Sequence, residues 1–219
     1  MLSFNLVILG PQGSGKGTQT ELLSKRFRMP YLGAGELIRK KAQEDTEEGR
    51  KIKTLHNAGL LIENSLVKNL FEKELSKIPK EQTVIFEGYP RNLEQIKDFE
   101  EILKKRTKRD KRVIILKIKD ETVYKRLSGR RYCPFCEKNY YPPESLRLKK
   151  CPVCNKEIIK RPDDSEKAIK KRLNIYKKET KPVISYFKKR SELISVNGEA
   201  SIGEVNKAII RKLGRSKFD

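Results

Sequence analysis

The densest chemical signal in the chain is the run Gly10-Pro11-Gln12-Gly13-Ser14-Gly15-Lys16-Gly17-Thr18. It fits GxxxxGK, and it stands in the context that pattern requires, after the apolar run Asn5–Leu9 and before residues with helical spacing. The glycines let consecutive amides curl toward phosphate oxygens, the helix opening near Lys16 adds its positive dipole end, and the lysine reaches the β- and γ-phosphates. Gly13, Ser14, Gly15, Lys16, Gly17 and Thr18 are the phosphate-binding residues this reading expects. The position after the lysine, where a hydroxyl normally holds magnesium, is Gly17. The metal must then depend more on water and a distant carboxylate, and Glu87, at the end of the apolar run 83–86, is the candidate.

A second cluster follows at once, Glu87-Gly88-Tyr89-Pro90-Arg91-Asn92-Leu93-Glu94-Gln95. Gly88 and Pro90 fix a turn at a strand end, which aims Arg91 into the crevice where phosphates would lie. Gln95 offers both an acceptor and a donor, the pattern that complements the amine and ring nitrogen of adenine.

All four cysteines fall in one stretch, as Cys133-x2-Cys136 and Cys151-x2-Cys154. Two such pairs put four thiolates on tight knuckles that can converge on a tetrahedral zinc ion. Four protein thiolates leave no position for water or substrate, so the metal is expected to be structural, holding a segment too poor in apolar residues for its own core. Disulfides are disfavoured because nothing points to an oxidising compartment, and iron in the same cage stays open. The single histidine, His56, lies outside every motif and reads as a surface or packing residue.

The elements that must position these groups can be read from apolar periodicity. Runs at 5–9, 83–86, 113–118 and 193–196, with a weaker one at 30–32, are continuous rather than alternating, as strands covered on both faces are. Stretches 16–27, 64–78, 93–105, 121–127, 165–189 and 202–213 carry apolar residues three and four apart. Strands alternating with helices imply a three-layer α/β sandwich around a parallel five-stranded sheet, with ligands at the carboxyl ends of the strands. Two intervals break the alternation: 33–62 is helical throughout, and 129–164 is rich in Cys, Pro and Tyr.

The 219 residues suit one core with inserts rather than two large domains. With 51 Lys and Arg against 29 Asp and Glu, the formal charge is +22, so polyanions are the expected partners. The basic run 104–112 lacks interleaved aromatics and reads as an exposed connection rather than a nucleic-acid site. No stretch is long and apolar enough to span a membrane and the N-terminus has no secretory pattern, so a cytoplasmic protein is expected.

On these motifs the chain resembles the adenylate kinase family of nucleoside-monophosphate kinases. GPQGSGKGT followed by QTELL is similar to the family's phosphate loop, and Glu87-Gly88-Tyr89-Pro90-Arg91 with Gln95 is similar to its Asp-Gly-Phe-Pro-Arg with a following Gln. The resemblance implies a P-loop NTPase-type core at 1–32, 63–128 and 165–219. It further implies a monophosphate-binding insert at 33–62 and a zinc-stapled lid at 129–164, shorter than in many bacterial relatives. The implied reaction is reversible, Mg2+-dependent transfer between ATP and AMP giving two ADP, in a monomer without nucleic-acid or membrane partners.

The same resemblance assigns the acceptor to Ala34, Arg39, Leu60, Ile62, Gly88, Arg91 and Gln95. It turns Arg126, Arg130, Arg161 and Arg172 toward the transferring phosphoryl or the ATP phosphates, with Arg126 also packing on the adenine of ATP; Arg161 and Arg172 serve the acceptor as well. Asp163 and Asp164 match a pair that bonds lid arginines on closure, although one of them capping the following helix is an equal reading. Arg131 is off the motif and reads as a solvent or lid-surface charge. Ala34 stands where the family has Thr, and Ala34-Gly35-Glu36 with Pro90-Arg91-Asn92 is similar to UMP/CMP kinases, which carry Asn where this chain has Gln95. A UMP/CMP kinase is therefore one alternative. A basic zinc-ribbon protein that binds nucleic acid and uses ATP as a switch is another.

Overall fold

The computed structural model describes residues 2–215. Five strands form one parallel sheet in the order β2-β3-β1-β4-β7: β1 (Asn5–Leu9), β2 (Tyr31–Gly33), β3 (Ile85–Glu87), β4 (Lys111–Lys117) and β7 (Leu193–Asn197). Side chains alternate across a strand, and here both sides are covered. Val7, Leu9, Phe86, Val113 and Ile115 pack in one layer with Phe71, Phe99 and Phe187, which come from α4 (Asn64–Leu75), α5 (Leu93–Lys104) and α8 (Lys181–Lys189). Leu6, Ile8, Ile85, Ile114 and Leu116 pack in the other with Leu23 of α1 (Lys16–Phe27) and Val205 and Ile209 of α9 (Ile202–Arg215). The order reverses direction at β1, whose neighbours are β3 and β4, so the chain leaving β1 emerges at the crevice where open α/β sheets bind ligands.

Between β2 and β3 the chain adds α2 (Ala34–Lys41) and α3 (Glu47–Asn57) before α4, so the insert is built from helices, but turns at 42–46 and an irregular stretch at 58–63 break the wholly helical course expected for 33–62. Thr46 caps α3 by accepting from the Gly49 N–H. After α6 (Asp120–Ser128), β5 (Arg131–Tyr132) and β6 (Asn139–Tyr140) make a small antiparallel pair with the first cysteine knuckle between its strands, and the second knuckle follows at 151–154, flanked by a bridge between Lys150 and Glu157.

Two expectations need correction. The run 104–112 is not simply an exposed connection. Arg106 is buried, donating from Nη2 to the carbonyls of Pro79 (2.7 Å) and Gln82 (2.8 Å). Lys111 begins β4 and is buried between the carboxylates of Glu100 (3.0 Å) and Glu192 (3.3 Å). The stretch 165–189 is not a uniform helix. It divides into α7 (Glu166–Ile175) and α8, joined by a widened turn over Tyr176–Thr180 in which the Lys181 N–H reaches back to the Tyr176 carbonyl. Pro182 follows directly and has no N–H to give, so a regular helix would lose a bond at this point. Thr180, buried at the break, donates its hydroxyl to the Arg91 carbonyl at 2.9 Å.

Candidate active site

The loop between β1 and α1 forms the floor of the site. Gly15, the residue before the helix, has φ +91°, a conformation a side chain would strain, and it leads into the first turn of α1. Lys16 folds back so that Nζ donates to the carbonyls of Gly10 and Pro11, each at 2.9 Å, and lies 4.0 Å from Glu87 Oε1. Gly13, Gly15, Lys16, Gly17 and Glu87 line a cleft of about 480 Å³; Ser14 is buried and Thr18 is half-buried on the first turn of α1.

Arg91 stands across from this loop. Gly88, with φ +69°, permits the turn after β3, and a Cβ there would come within 3.2 Å of Arg91 Nη2. Arg91 Nε donates to the Gly88 carbonyl at 2.7 Å, and its backbone N–H donates to Gln95 Oε1 at 2.8 Å. Arg39, on the last turn of α2, lines the same cleft, and its buried Nε has no hydrogen-bond partner among the described residues. Ala34, Ile62, Gly88, Arg91 and Gln95 enclose a small hollow beside it, and Leu60 borders the adjoining crevice.

Arg130, just before β5, Arg161, just before the turn at Pro162–Asp164, and Arg172 of α7 complete the opposite wall. Arg130 makes a paired contact with Asp164, Nε to Oδ2 and Nη2 to Oδ1, both at 2.6 Å. Arg161 Nε donates to Asp163 Oδ1 at 3.0 Å, and Arg172 Nη1 donates to Asp163 Oδ2 at 2.7 Å. The two aspartates thus hold three arginines. Capping of α7 belongs to Ser165, whose Oγ accepts from the Ala168 N–H, so the reading of an aspartate as the cap is set aside. Arg126 is engaged with backbone, donating to the carbonyls of Gly13 (3.1 Å) and Gly198 (2.9 Å). Arg131 is half-buried in β5 and donates to the Arg130 carbonyl.

His56, which the sequence reads as a surface or packing residue, is half-buried at the edge of the crevice. It borders the crevice with Lys16, Arg39, Arg91 and Arg172, and its Nε2 lies 3.9 Å from Asp163 Oδ2. Burial lowers its pKa to about 4; Asp163 opposes that shift, while Arg172, Arg39 and Arg161 add to it. The partner lies far along the chain, so no local motif announced the contact. Glu36, from the motif Ala34-Gly35-Glu36, and Glu137, which no motif singled out, also line the cleft. Burial raises the pKa of Glu36, and repulsion from Glu137 adds to it.

Lys16, Arg39, Arg91, Arg130, Arg161 and Arg172 all line the one cleft. Crowding is visible in the ionisation of Lys16, Arg91, Arg161 and Arg172. Burial, then repulsion from Arg91, Arg172 and Arg130, brings Lys16 down to about 8 against the pull of Glu87. Burial, with Arg130 and Arg39 adding to it, brings Arg161 down to about 10, and burial also lowers Arg91 and Arg172. Such mutually repelling cations, fixed before any ligand arrives, stabilise a polyanion without reorganising around it.

The cysteine knuckles repeat one geometry twice. The Cys133 N–H donates to the Lys138 carbonyl and the Cys151 N–H to the Lys156 carbonyl, and Glu137 and Asn155, each directly after a second cysteine, both have positive φ. All four Sγ atoms lie within 4.8 Å of one another, with Cys133 to Cys154 and Cys136 to Cys151 at 3.4 Å. Zn–S bonds of about 2.3 Å give a tetrahedron with edges of about 3.8 Å, so the four thiols fit a zinc ion.

Comparison with known proteins agrees with this geometry. The family model described as adenylate kinase matches residues 8–192. Curated adenylate kinases of similar sequence include that of Caldicellulosiruptor bescii, 33% identical over 213 residues, covering 95% of this chain and 98% of the relative. That of Methanocella arvoryzae is 36% identical, covering 94% and 98%, and that of Clostridium botulinum strain Langeland is 34% identical, covering 97% and 99%.

Proposed function

The chain belongs to the adenylate kinase family and is a phosphotransferase; from that premise we propose that ATP lies over residues 13–18 and AMP against Arg39 and Arg91, the two meeting end to end in the cationic cleft. The observation that carries this reading is the convergence of Lys16 and five arginines on one cleft between the phosphate loop and the helical insert.

An oxygen of the AMP phosphate attacks the γ-phosphorus, and the bond to the β–γ bridging oxygen breaks, its electrons leaving with ADP. A loose, metaphosphate-like transition state asks for alignment and charge stabilisation more than for a base. Lys16 meets the β- and γ-phosphates. Arg91, Arg130, Arg161 and Arg172 surround the transferring group. Glu87 would hold the Mg2+ of ATP through water, and the ion would supply positive charge to the phosphates. Arg39, with its unpartnered Nε, takes the α-phosphate of AMP. Arg126 serves the ATP side, and its bonds to Gly13 and Gly198 also brace the loop.

Residues 33–62 form the monophosphate-binding insert and 129–164 the lid, both closing on the core at 1–32, 63–128 and 165–219. Closure excludes water that would otherwise take the phosphoryl group. Asp163 and Asp164 hold the lid arginines in that state. Cys133, Cys136, Cys151 and Cys154 would hold zinc, which ties the two knuckles together and takes no part in transfer. No nucleic-acid or membrane partner enters this reading, and the protein acts as a monomer. Among the described residues no helix is long and apolar enough to cross a membrane.

ADP formation from ATP with AMP, measured beside CMP and UMP, tests the proposal. Turnover fastest with AMP supports it. Absence of turnover with every monophosphate overturns it.

A further inference from the structure

We propose that Asn64 is a specificity-determining positioning residue that locks the side-chain amide of Gln95 in one sense, so that the acceptor site takes monophosphates of bases with an exocyclic amine and rejects those with a keto group at that position. The inference rests on the reading above that Gln95 faces the acceptor base.

The sense of the amide follows from two backbone anchors. The Arg91 N–H can only donate, so the Gln95 atom 2.8 Å away is Oε1 and the other amide atom is Nε2. Nε2 donates, so the Asn64 atom at 2.9 Å is its acceptor, Oδ1. Asn92 is anchored in the same way: its Oδ1 accepts from the Gln95 N–H at 2.8 Å, leaving its Nδ2 to donate to the same Asn64 Oδ1 at 3.0 Å. Asn64 Nδ2 is then left to donate, and it meets an acceptor that cannot be anything else, Glu94 Oε2 at 2.5 Å. Turning any one of the three amides over would set donor against donor or acceptor against acceptor elsewhere in the network.

Gln95 is buried and lines the hollow formed with Ala34, Ile38, Ile62 and Val67. With one hydrogen-bond position of each amide atom used internally, Oε1 keeps one lone pair and Nε2 one hydrogen for a ligand. An amino base offers a donor next to a ring-nitrogen acceptor, which matches that pair. A keto base offers the reverse at the same two positions. With the phosphate held by Arg39 and Arg91, the base edge cannot slide to restore the match, and a buried polar mismatch is heavily penalised. Adenine and cytosine share the accepted pattern; uracil and guanine share the rejected one.

Steady-state rates with AMP, CMP, UMP and GMP are to be measured for the wild type, Asn64→Ala, Asn64→Asp with Glu94→Gln, and Gln95→Ala. In Asn64→Ala the KM for AMP should rise about tenfold and the AMP-to-UMP preference should narrow, with kcat near wild type, because one net hydrogen bond is lost from positioning only. Asn64→Asp, combined with Glu94→Gln so that two carboxylates do not meet, keeps an acceptor for Gln95 and should retain the preference. Asn64→Leu, of similar volume and without an acceptor, carries the same arm if the alanine variant does not fold. Unchanged KM and preference in Asn64→Ala, with both altered in Gln95→Ala, would overturn the role of Asn64 alone. Unchanged behaviour in Gln95→Ala would overturn the acceptor reading beneath it.

Discussion

At Lys16 an ammonium is kept largely out of water by a glycine turn and donates to two carbonyls of its own loop. Its pKa of about 8 records the cost of that burial. Lys16→Met should therefore lower turnover by about two to three orders of magnitude, the scale seen when one aimed electrostatic donor is removed, while thermal stability stays at or above wild type. Rates close to wild type in the folded variant would remove the lysine from the mechanism. His56 gives a pH prediction of definite sign. Its folded pKa of about 4 lies below the ordinary 6.5, so between those values the unfolded chain binds a proton that the folded chain does not. Stability should fall as pH drops from 6.5 toward 4, and His56→Gln should flatten that part of the curve in denaturant melts. An unchanged slope would mean that the imidazole is not held neutral. These two residues also mark what sequence could tell. Lys16 sits in a motif whose spacing states its role; His56 and Asn64 act through partners far along the chain, which no periodicity encodes.

The elements were legible where local chemistry decides them. The range of β1 and that of α1 match the apolar run and the helical spacing residue for residue, because a strand covered on both faces and a helix opened by Gly15 leave little choice. The misreadings fall where tertiary partners override composition. Arg106 and Lys111 are buried by carbonyls and carboxylates from other elements. The break at Thr180 joins α8 to the turn that carries Arg91. The paired contact between Arg130 and Asp164 is buried, and removing one partner from such a pair costs about 3–5 kcal/mol. Asp164→Ala should therefore lower the unfolding free energy by that amount or cause the lid to open separately, visible as faster amide exchange across the β5–β6 pair. Unaltered exchange and stability would show the pair to be inert. Cys133→Ala should release zinc and lower the melting temperature of the metal-loaded protein while leaving measurable transfer, since four thiolates would leave the metal no open position for substrate. Complete loss of transfer in a folded variant would contradict a purely structural site.

For the whole molecule, the excess of positive charge is concentrated at the cleft, where Lys16 and five arginines are joined by Lys25 and Lys138 in one cavity lining. The parallel sheet aims the phosphate loop and the Arg91 turn from neighbouring strands, and the helical insert and cysteine-bearing segment bring Arg39, Arg130 and Arg161 from either side. The parallel five-stranded sheet was readable from the alternation of strands and helices. The pairing of Asp163 and Asp164 with three arginines was readable only through the family resemblance. The central claim is that two nucleotides occupy this cavity end to end. Calorimetric titration with a dinucleoside polyphosphate that joins two adenosines through five phosphates tests it most directly. One molecule should bind per chain and be displaced by ATP and by AMP alike, with Arg39→Ala and Lys16→Met each weakening it; displacement by ATP alone, or two molecules per chain, would contradict the account.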